Sequence, residues 1–195
     1  MPRGDCGGQV GLNVQQRAES LGTFRWIAVR MMRRLAEWIP TTPEMEVKVL
    51  FGRHVWDCAR HADAFGRRAF ELRAPLHYTL APTQQYLDWL EPLEGLQSAA
   101  DRVCALYDVA FPSFGLRYAA YLDATDALMD EPTVRILESA MADLQRMESD
   151  RVRLLEGLNL GIATIDAQAA RAHEAGMATI VEFGGENARA RGVRA

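Results

Sequence analysis

One short stretch of this sequence gathers residue types that bind metals or transfer protons. His54, Asp57, Cys58 and His61 lie within HVWDCARH, at spacings of about one and two helical turns. Imidazole, carboxylate and thiolate groups are common ligands of transition metals, and histidine is also the usual general acid or base near neutral pH. The residue types in this stretch therefore indicate two possible kinds of chemistry, metal binding and proton transfer.

On an α-helix, the polar members of this region share one side. Glu46, His54, Asp57 and His61 fall within an arc of about 80°. Ligands seven residues apart are about 10 Å apart along the axis, which is far for two imidazoles to reach one ion. If a metal is bound, we expect Glu46, His54 and His61 as its ligands. Without a metal, His54 and His61 could act as general acid and base while Asp57 orients one imidazole.

A structural interpretation of the same residues is equally open. In that interpretation His61 hydrogen-bonds Asp57 one turn earlier, and His54 bonds a neighbouring backbone group or carboxylate. Cys58 lies in the apolar stripe of the helix, where a buried thiol is usually unreactive. The residue types alone do not separate a structural role from a catalytic one.

The elements that would position these residues are helices. Ala, Leu, Arg and Glu dominate the composition, and apolar residues recur at helical spacing through most of the chain. We expect Thr42 to cap the second helix and Pro112 to kink the third. The predicted long helices are one that ends before Pro40, then about 44–72, about 98–128 and one that begins at about 130.

These four amphipathic helices predict an all-α fold. The longer segment between the second and third, with Pro82 and Pro92, indicates a crossover connection with a short helix. A shorter C-terminal helix is expected past Gly161. The sequence therefore predicts a four-helix bundle over residues 13–183, with flexible ends at 1–12 and 184–195.

Charge and composition exclude several classes of protein. The net charge of −4 gives no basic excess for a nucleic-acid surface. The three cysteines form no disulfide pattern, and no apolar run reaches the roughly 20 residues of a membrane span. We therefore expect a cytoplasmic protein that binds neither nucleic acid nor membrane; a homodimer is left open.

Two motifs resemble those of one family. HVWDCARHAD resembles the second-helix signature of ferritin-like proteins, and DEPTVRILESAMADLQRM is similar to their fourth helix, with D-E-P-T-x-R-x-L before a Glu-x-x-His pair. The resemblance covers about residues 35–158. It implies a bundle in which both helices direct a Glu-x-x-His pair at a di-iron centre and the other two helices each add a carboxylate.

When the ligand positions of the family are carried over onto this sequence one by one, most of the expected ligands are replaced by other residues. The second-helix pair falls on Cys58 and His61, and the fourth-helix pair falls on Leu144 and Met147. An aliphatic group cannot replace a bridging carboxylate, so we expect that the di-iron site does not form. No cofactor is favoured, and iron in a reduced site is the alternative.

The resemblance and the residues together suggest a metal-independent enzyme that acts on a small organic molecule. His61, His54 and Asp57 are the predicted catalytic residues. Two alternatives are a non-heme iron oxidoreductase with a reduced site and a non-catalytic interaction subunit. The residues predicted to line the substrate pocket are Cys58, Tyr118, Tyr121, Leu144 and Met147.

Overall fold

The computed structural model describes residues 12–177, and all regular structure in that range is helical. The two longest helices come first and are joined by a short turn. The helices are α1 (Val14–Thr41), α2 (Met45–Glu71), α3 (Gln84–Glu94), α4 (Ala99–Val103), α5 (Phe111–Ala124), α6 (Glu131–Leu155) and α7 (Ala167–Ala175). A π-helical segment, Cys104–Ala110, joins α4 to α5 without a break.

Local chemistry accounts for the ends of the first two helices. The Asn13 side chain accepts from the backbone N–H of Gln16, and the Gln16 side chain accepts from the backbone N–H of Asn13. Helix α1 continues through Pro40 to Thr41, so the predicted end before Pro40 is two residues short. A proline in the last turn removes only one helical hydrogen bond.

The predicted cap of the second helix is wrong. Glu44, not Thr42, is the residue at the N-cap of α2. The Thr42 hydroxyl instead donates to the carbonyl of Trp38 at 2.8 Å and accepts from Arg102 Nη1 at 2.8 Å. Thr42 therefore ties the end of α1 to α4, because its hydroxyl finds buried partners there.

A kink was expected at Pro112, but the irregular part of this helix lies mainly before that residue. Seven residues, Cys104–Ala110, are π-helical, and Pro112 stands near the start of α5. A proline cannot donate to the carbonyl four residues earlier, which here belongs to Asp108 within the π-helical segment. Segments of this kind are rare, and they often lie at functional sites.

The packing places α2 between two neighbours. Helix α1 packs along α2, α2 packs against α6, and α6 also packs against α5. Helix α7 contacts the π-helical segment. The aromatic core includes Phe24, which meets Phe65, Tyr118 and Tyr121 at ring-centroid distances of 5.7, 4.9 and 6.1 Å. The core thus fixes α1, α2 and α5 around one aromatic cluster.

Two expectations concern the ends of the chain and the membrane. The flexible termini predicted at 1–12 and 184–195, and the end of the fifth predicted helix, lie almost wholly outside the described residues. Within residues 12–177, none of the helices has the combined length and apolar character that a bilayer crossing requires.

Candidate functional site

Helices α2 and α6 present ionisable residues to each other at the same spacing. Each helix carries three of them, at positions i, i+3 and i+7, and they meet in three pairs. We call this set the polar ladder. Its members are His54, Asp57 and His61 on α2, and Asp143, Arg146 and Asp150 on α6.

The first pair joins His61 to Asp143. The two side chains approach at 3.0 Å between Nε2 and Oδ2, and Arg60 Nη2 donates to the same carboxylate oxygen at 2.8 Å. Burial lowers the pKa of His61, although the hydrogen bond to Asp143 acts in the opposite direction. The predicted bond from His61 to Asp57 does not form, because α6 supplies a carboxylate directly.

The second pair joins Asp57 to Arg146. Asp57 Oδ1 accepts from Arg146 Nη2 at 2.7 Å and from Arg60 Nη2 at 3.0 Å. Arg146 Nη2 also donates to Asp143 Oδ1 at 2.9 Å, and its Nη1 lies 3.7 Å from Asp150 Oδ2. The hydrogen bonds to Asp57 and Asp143 raise the pKa of Arg146. Asp57 is therefore held by two guanidinium groups and is not free to orient a histidine of its own helix.

The third pair contains the more deeply buried histidine. His54 is fully buried, and its Nδ1 lies 2.5 Å from the hydroxyl of Tyr107 in the π-helical segment. Its Nε2 is 3.7 Å from Asp150 Oδ2, which is too long for a hydrogen bond. Because the carboxylate faces Nε2, the proton belongs on Nε2, and the Tyr107 hydroxyl then donates to Nδ1. Burial lowers the pKa of His54 to about 4, so the imidazole is neutral at pH 7.

An apolar pocket of about 360 Å³ opens on the other side of α6, between α6 and the π-helical segment with α5. Its floor is aromatic: the rings of Tyr107 and Phe111 are 5.3 Å apart and nearly perpendicular. We call it the α5–α6 pocket. Its lining residues are Tyr107, Phe111, Pro112, Gly115, Met141, Leu144, Gln145 and Glu148.

Tyr107 is the residue that joins the pocket to the polar ladder. It lines the pocket, while its hydroxyl bonds His54. The guanidinium of Arg151 lies 5.8 Å from the Tyr107 ring centroid and donates to Glu148 at the pocket edge at 2.8 Å. The pocket therefore has a mainly apolar lining with one charged residue, Glu148, and one lining residue, Tyr107, whose hydroxyl is bonded to His54.

The predicted site residues separate into four environments: the polar ladder, the pocket lining, the buried core and the exposed surface. His54, Asp57 and His61 come together with α6 in the polar ladder, but none of them lines the α5–α6 pocket. Among the residues predicted to line a substrate pocket, Leu144 lines the α5–α6 pocket, whereas Met147 is fully buried. Cys58, Tyr118 and Tyr121 are buried in the core, and Glu46 is exposed in the first turn of α2.

Each core residue has a structural role that its contacts explain. Burial raises the pKa of the Cys58 thiol to about 12, so the thiol is protonated. The Tyr118 ring packs against Phe24 and Phe65. The Tyr121 hydroxyl donates to Asp130 at 2.6 Å, next to the start of α6.

The positions that the family resemblance assigns to iron ligands do not fit that metal centre. Cys58 is a buried neutral thiol, Met147 is a fully buried thioether, and Leu144 offers no donor atom. His61 is already bonded to Asp143. Among residues 12–177, no three His, Cys, Asp or Glu side chains are grouped so that they could hold a metal ion.

Sequence reasoning missed the α6 half of the polar ladder. Asp143, Arg146 and Asp150 repeat the spacing of His54, Asp57 and His61, and that repetition was readable from the sequence. Tyr107 gave no comparable signal, because its contact with His54 depends on the π-helical geometry of its segment.

Comparisons with known proteins add no further assignment. No protein-family model matches the chain, and neither a curated protein nor a solved structure matches it.

Proposed function

We propose that this protein is a ferritin-like four-helix bundle without the family's metal centre. The four helices would be α1, α2, the continuous α4–π–α5 unit and α6. Helix α3 lies in the long segment between α2 and α4, as a crossover connection requires. Support comes from the packing of α2 on α1 and α6, and of α6 on α5.

We further propose that the protein binds a small, mainly apolar organic molecule in the α5–α6 pocket. The observation that carries this proposal is the pocket itself, about 360 Å³ and lined mostly by apolar side chains. Ligand pockets commonly measure about 300–1,000 Å³ and combine an apolar lining with a few polar groups. In the α5–α6 pocket those polar groups are Gln145 and Glu148.

The lining favours a flat ring system. Tyr107 and Phe111 present two rings at an interplanar angle of 82°, so a planar ligand can stack on one and meet the edge of the other. Gly115 has no side chain, and a Cβ added there would come only within 4.0 Å of Leu144 Cδ1. The pocket is thus open at Gly115, where a larger residue would fill it.

A binding experiment with a neutral bicyclic probe tests this proposal. We expect 2-naphthol to bind the wild-type protein in a fluorescence titration and Gly115→Leu to weaken that binding at least tenfold. The matched control is Gly52→Leu, because Gly52 is an exposed helical glycine with nothing within 4 Å of an added Cβ. Equal binding by wild type and a folded Gly115→Leu variant would contradict the proposal and favour a non-catalytic interaction subunit.

Proton transfer on the bound molecule is a second candidate function, favoured by the Tyr107–His54 contact. In such a step the Tyr107 oxygen accepts a proton from a ligand carbon, while the hydroxyl proton passes to His54 Nδ1. Asp150 faces the imidazolium that forms, with 3.7 Å between Oδ2 and Nε2. The low pKa of His54, about 4, makes it a weak base, and for that reason binding is the primary proposal.

A ketone probe tests this second candidate. We expect wild-type protein in D₂O to accelerate deuterium exchange at the α-carbon of 2-tetralone, measured by NMR. Tyr107→Phe keeps the ring in the pocket wall but removes the hydroxyl, so it should abolish the acceleration while 2-naphthol still binds. Exchange at the uncatalysed rate with wild-type protein would remove the acid/base function.

The proposal that the protein works without a metal has its own test. Protein purified without chelator from iron-supplemented cells should carry far less than one iron per chain by elemental analysis. A content near two irons per chain would overturn the proposal.

A further inference from the structure

Resting on the binding function proposed above, we infer that the ligand of the α5–α6 pocket is an aromatic amine. Its ring system lies against Tyr107 and Phe111, and its ammonium group pairs with Glu148. Glu148 is the charged residue among those that line the pocket, and Gln145 is a neutral polar one. The Tyr107 hydroxyl is already bonded to His54, so a polar group of the ligand meets Glu148 or Gln145.

Around Glu148, acidic groups outnumber basic ones. Arg151 Nε donates to Glu148 Oε2 at 2.8 Å, and Arg151 Nη2 lies 3.6 Å from Asp108 Oδ1. Among residues 12–177, Arg151 is the only basic residue that pairs with either of these acids. One guanidinium thus serves two carboxylates, and one negative charge is left over. This charge attracts a cationic ligand and repels an anionic one.

Glu148 can accept a second cation without losing Arg151. Its side chain is 45% exposed, so the pair with Arg151 is a surface ion pair, of a kind that contributes little to stability. A carboxylate has two oxygens with about four lone-pair sites. Arg151 uses one donor on each oxygen, which leaves sites for the ammonium group of a ligand.

The aromatic part of the lining favours a cation as well. The Arg151 guanidinium lies 5.8 Å from the Tyr107 ring centroid, so this ring already contacts one positive charge. Aromatic rings attract cations because the face of the ring is electrostatically negative. The pocket therefore offers ring surfaces to the apolar part of an aromatic amine and a carboxylate to its charged part.

Three naphthalene probes with different head groups test this ligand class. At pH 7, 2-naphthylmethylamine is a cation, 2-naphthylmethanol is neutral and 2-naphthoate is an anion. In fluorescence titrations at low salt, we expect wild type to bind the amine about fivefold more tightly than the alcohol, the strength of an exposed ion pair. We expect 2-naphthoate to bind most weakly.

Two variants should change the preference for the amine in opposite directions. Glu148→Gln should remove it, while the alcohol still binds with wild-type affinity. Arg151→Gln should raise it to about tenfold or more, because two carboxylates without a basic partner then attract the amine. The matched control is Glu138→Gln, which changes the net charge equally at an exposed position of α6 that does not line the pocket. Thermal melts show whether each variant is folded.

Equal binding of amine and alcohol by wild type, or an unchanged preference in folded Glu148→Gln, would overturn the amine as the ligand class. Tighter binding of 2-naphthoate than of the alcohol would also overturn it, in favour of an anion held by Arg151. The pocket itself is tested separately by Gly115→Leu, which should weaken the binding of amine and alcohol alike. If none of the three probes binds wild type, both proposals fail.

Discussion

Helix α6 presents a charged face to α2 and an apolar face to α5. Toward α2 it directs Asp143, Arg146 and Asp150, each paired with a charged or titratable partner. Toward α5 it directs Met141 and Leu144, which wall the pocket. One 25-residue helix thus supplies both an ionic contact and an apolar surface.

The difference teaches that a cluster of titratable residues and a cavity need not coincide. The ionisable residues of the polar ladder neutralise one another, which is a structural use of charge. The space for a ligand lies where α6 and α5 meet, and Tyr107 alone among the pocket-lining residues also bonds a member of the ladder. Any action of His54 on a molecule in the α5–α6 pocket would therefore pass through Tyr107.

The largest predicted effect separates the two residues that stand in the fourth-helix motif. Met147 is fully buried, whereas Leu144 is partly buried and borders the open pocket. Met147→Glu should cost about 3–5 kcal/mol of unfolding free energy, because it places a carboxylate in the core without a partner. Leu144→Glu should cost clearly less, since its carboxylate can reach water through the pocket.

Urea denaturation at pH 7 measures both costs. Equal losses for the two variants would mean that Leu144 and Met147 share one environment, and the distinction between the pocket wall and the core would then be wrong.

The second effect is a loss of stability on acidification that depends on His54. Its pKa is lowered from 6.5 to about 4 in the folded protein, so the unfolded chain takes up a proton first as the pH falls. The stabilising effect of the neutral imidazole is thus complete above pH 6.5 and is lost progressively toward pH 4. The loss from this residue should reach about 3 kcal/mol, at 1.36 kcal/mol per pKa unit.

Comparison of variants isolates this contribution. His54→Asn is expected to lower stability at pH 7 but to flatten the decline between pH 6.5 and 4. His77→Asn is the control, because His77 is exposed and asparagine tolerates its φ of 62°. A decline of the same slope in His54→Asn and wild type would show that the imidazole is not buried in its neutral form.

A smaller effect is expected at His61. His61→Ala removes the partner of Asp143, but Arg60 and Arg146 still donate to that carboxylate. The unfolding free energy should fall by about 1–2 kcal/mol, the usual cost of a lost hydrogen bond in a buried site. Binding of 2-naphthol should not change, because His61 does not line the pocket. A tenfold loss of binding in a folded variant would place His61 at the ligand after all.

The sequence predicted the helical class because apolar periodicity is a local signal. The bounds of the second helix were predicted to within a residue or two, since the stretch from Glu44 to Leu72 contains no proline. The partners of His54 and His61 were not predictable from that helix, because they come from residues 53 to 96 positions away. The pocket also escaped prediction, since it depends on how α5 and the π-helical segment are set against α6.

The smallest effect concerns the glycine in the pocket wall. Unlike the other predicted changes, it is a gain in the free energy of unfolding. Gly115 lies within α5, and a methyl group there would make an ordinary contact of 4.0 Å with Leu144. Gly115→Ala should therefore raise the unfolding free energy by about 0.5–1 kcal/mol, because alanine loses less backbone entropy in a helix. Gly52→Ala, on the exposed side of α2, should give a similar gain.

Only Gly115→Ala narrows the pocket, so it alone should weaken 2-naphthol binding while stability rises. If both variants bind the probe equally well, the probe lies elsewhere on the protein, and the apolar face of α6 is a surface for packing only.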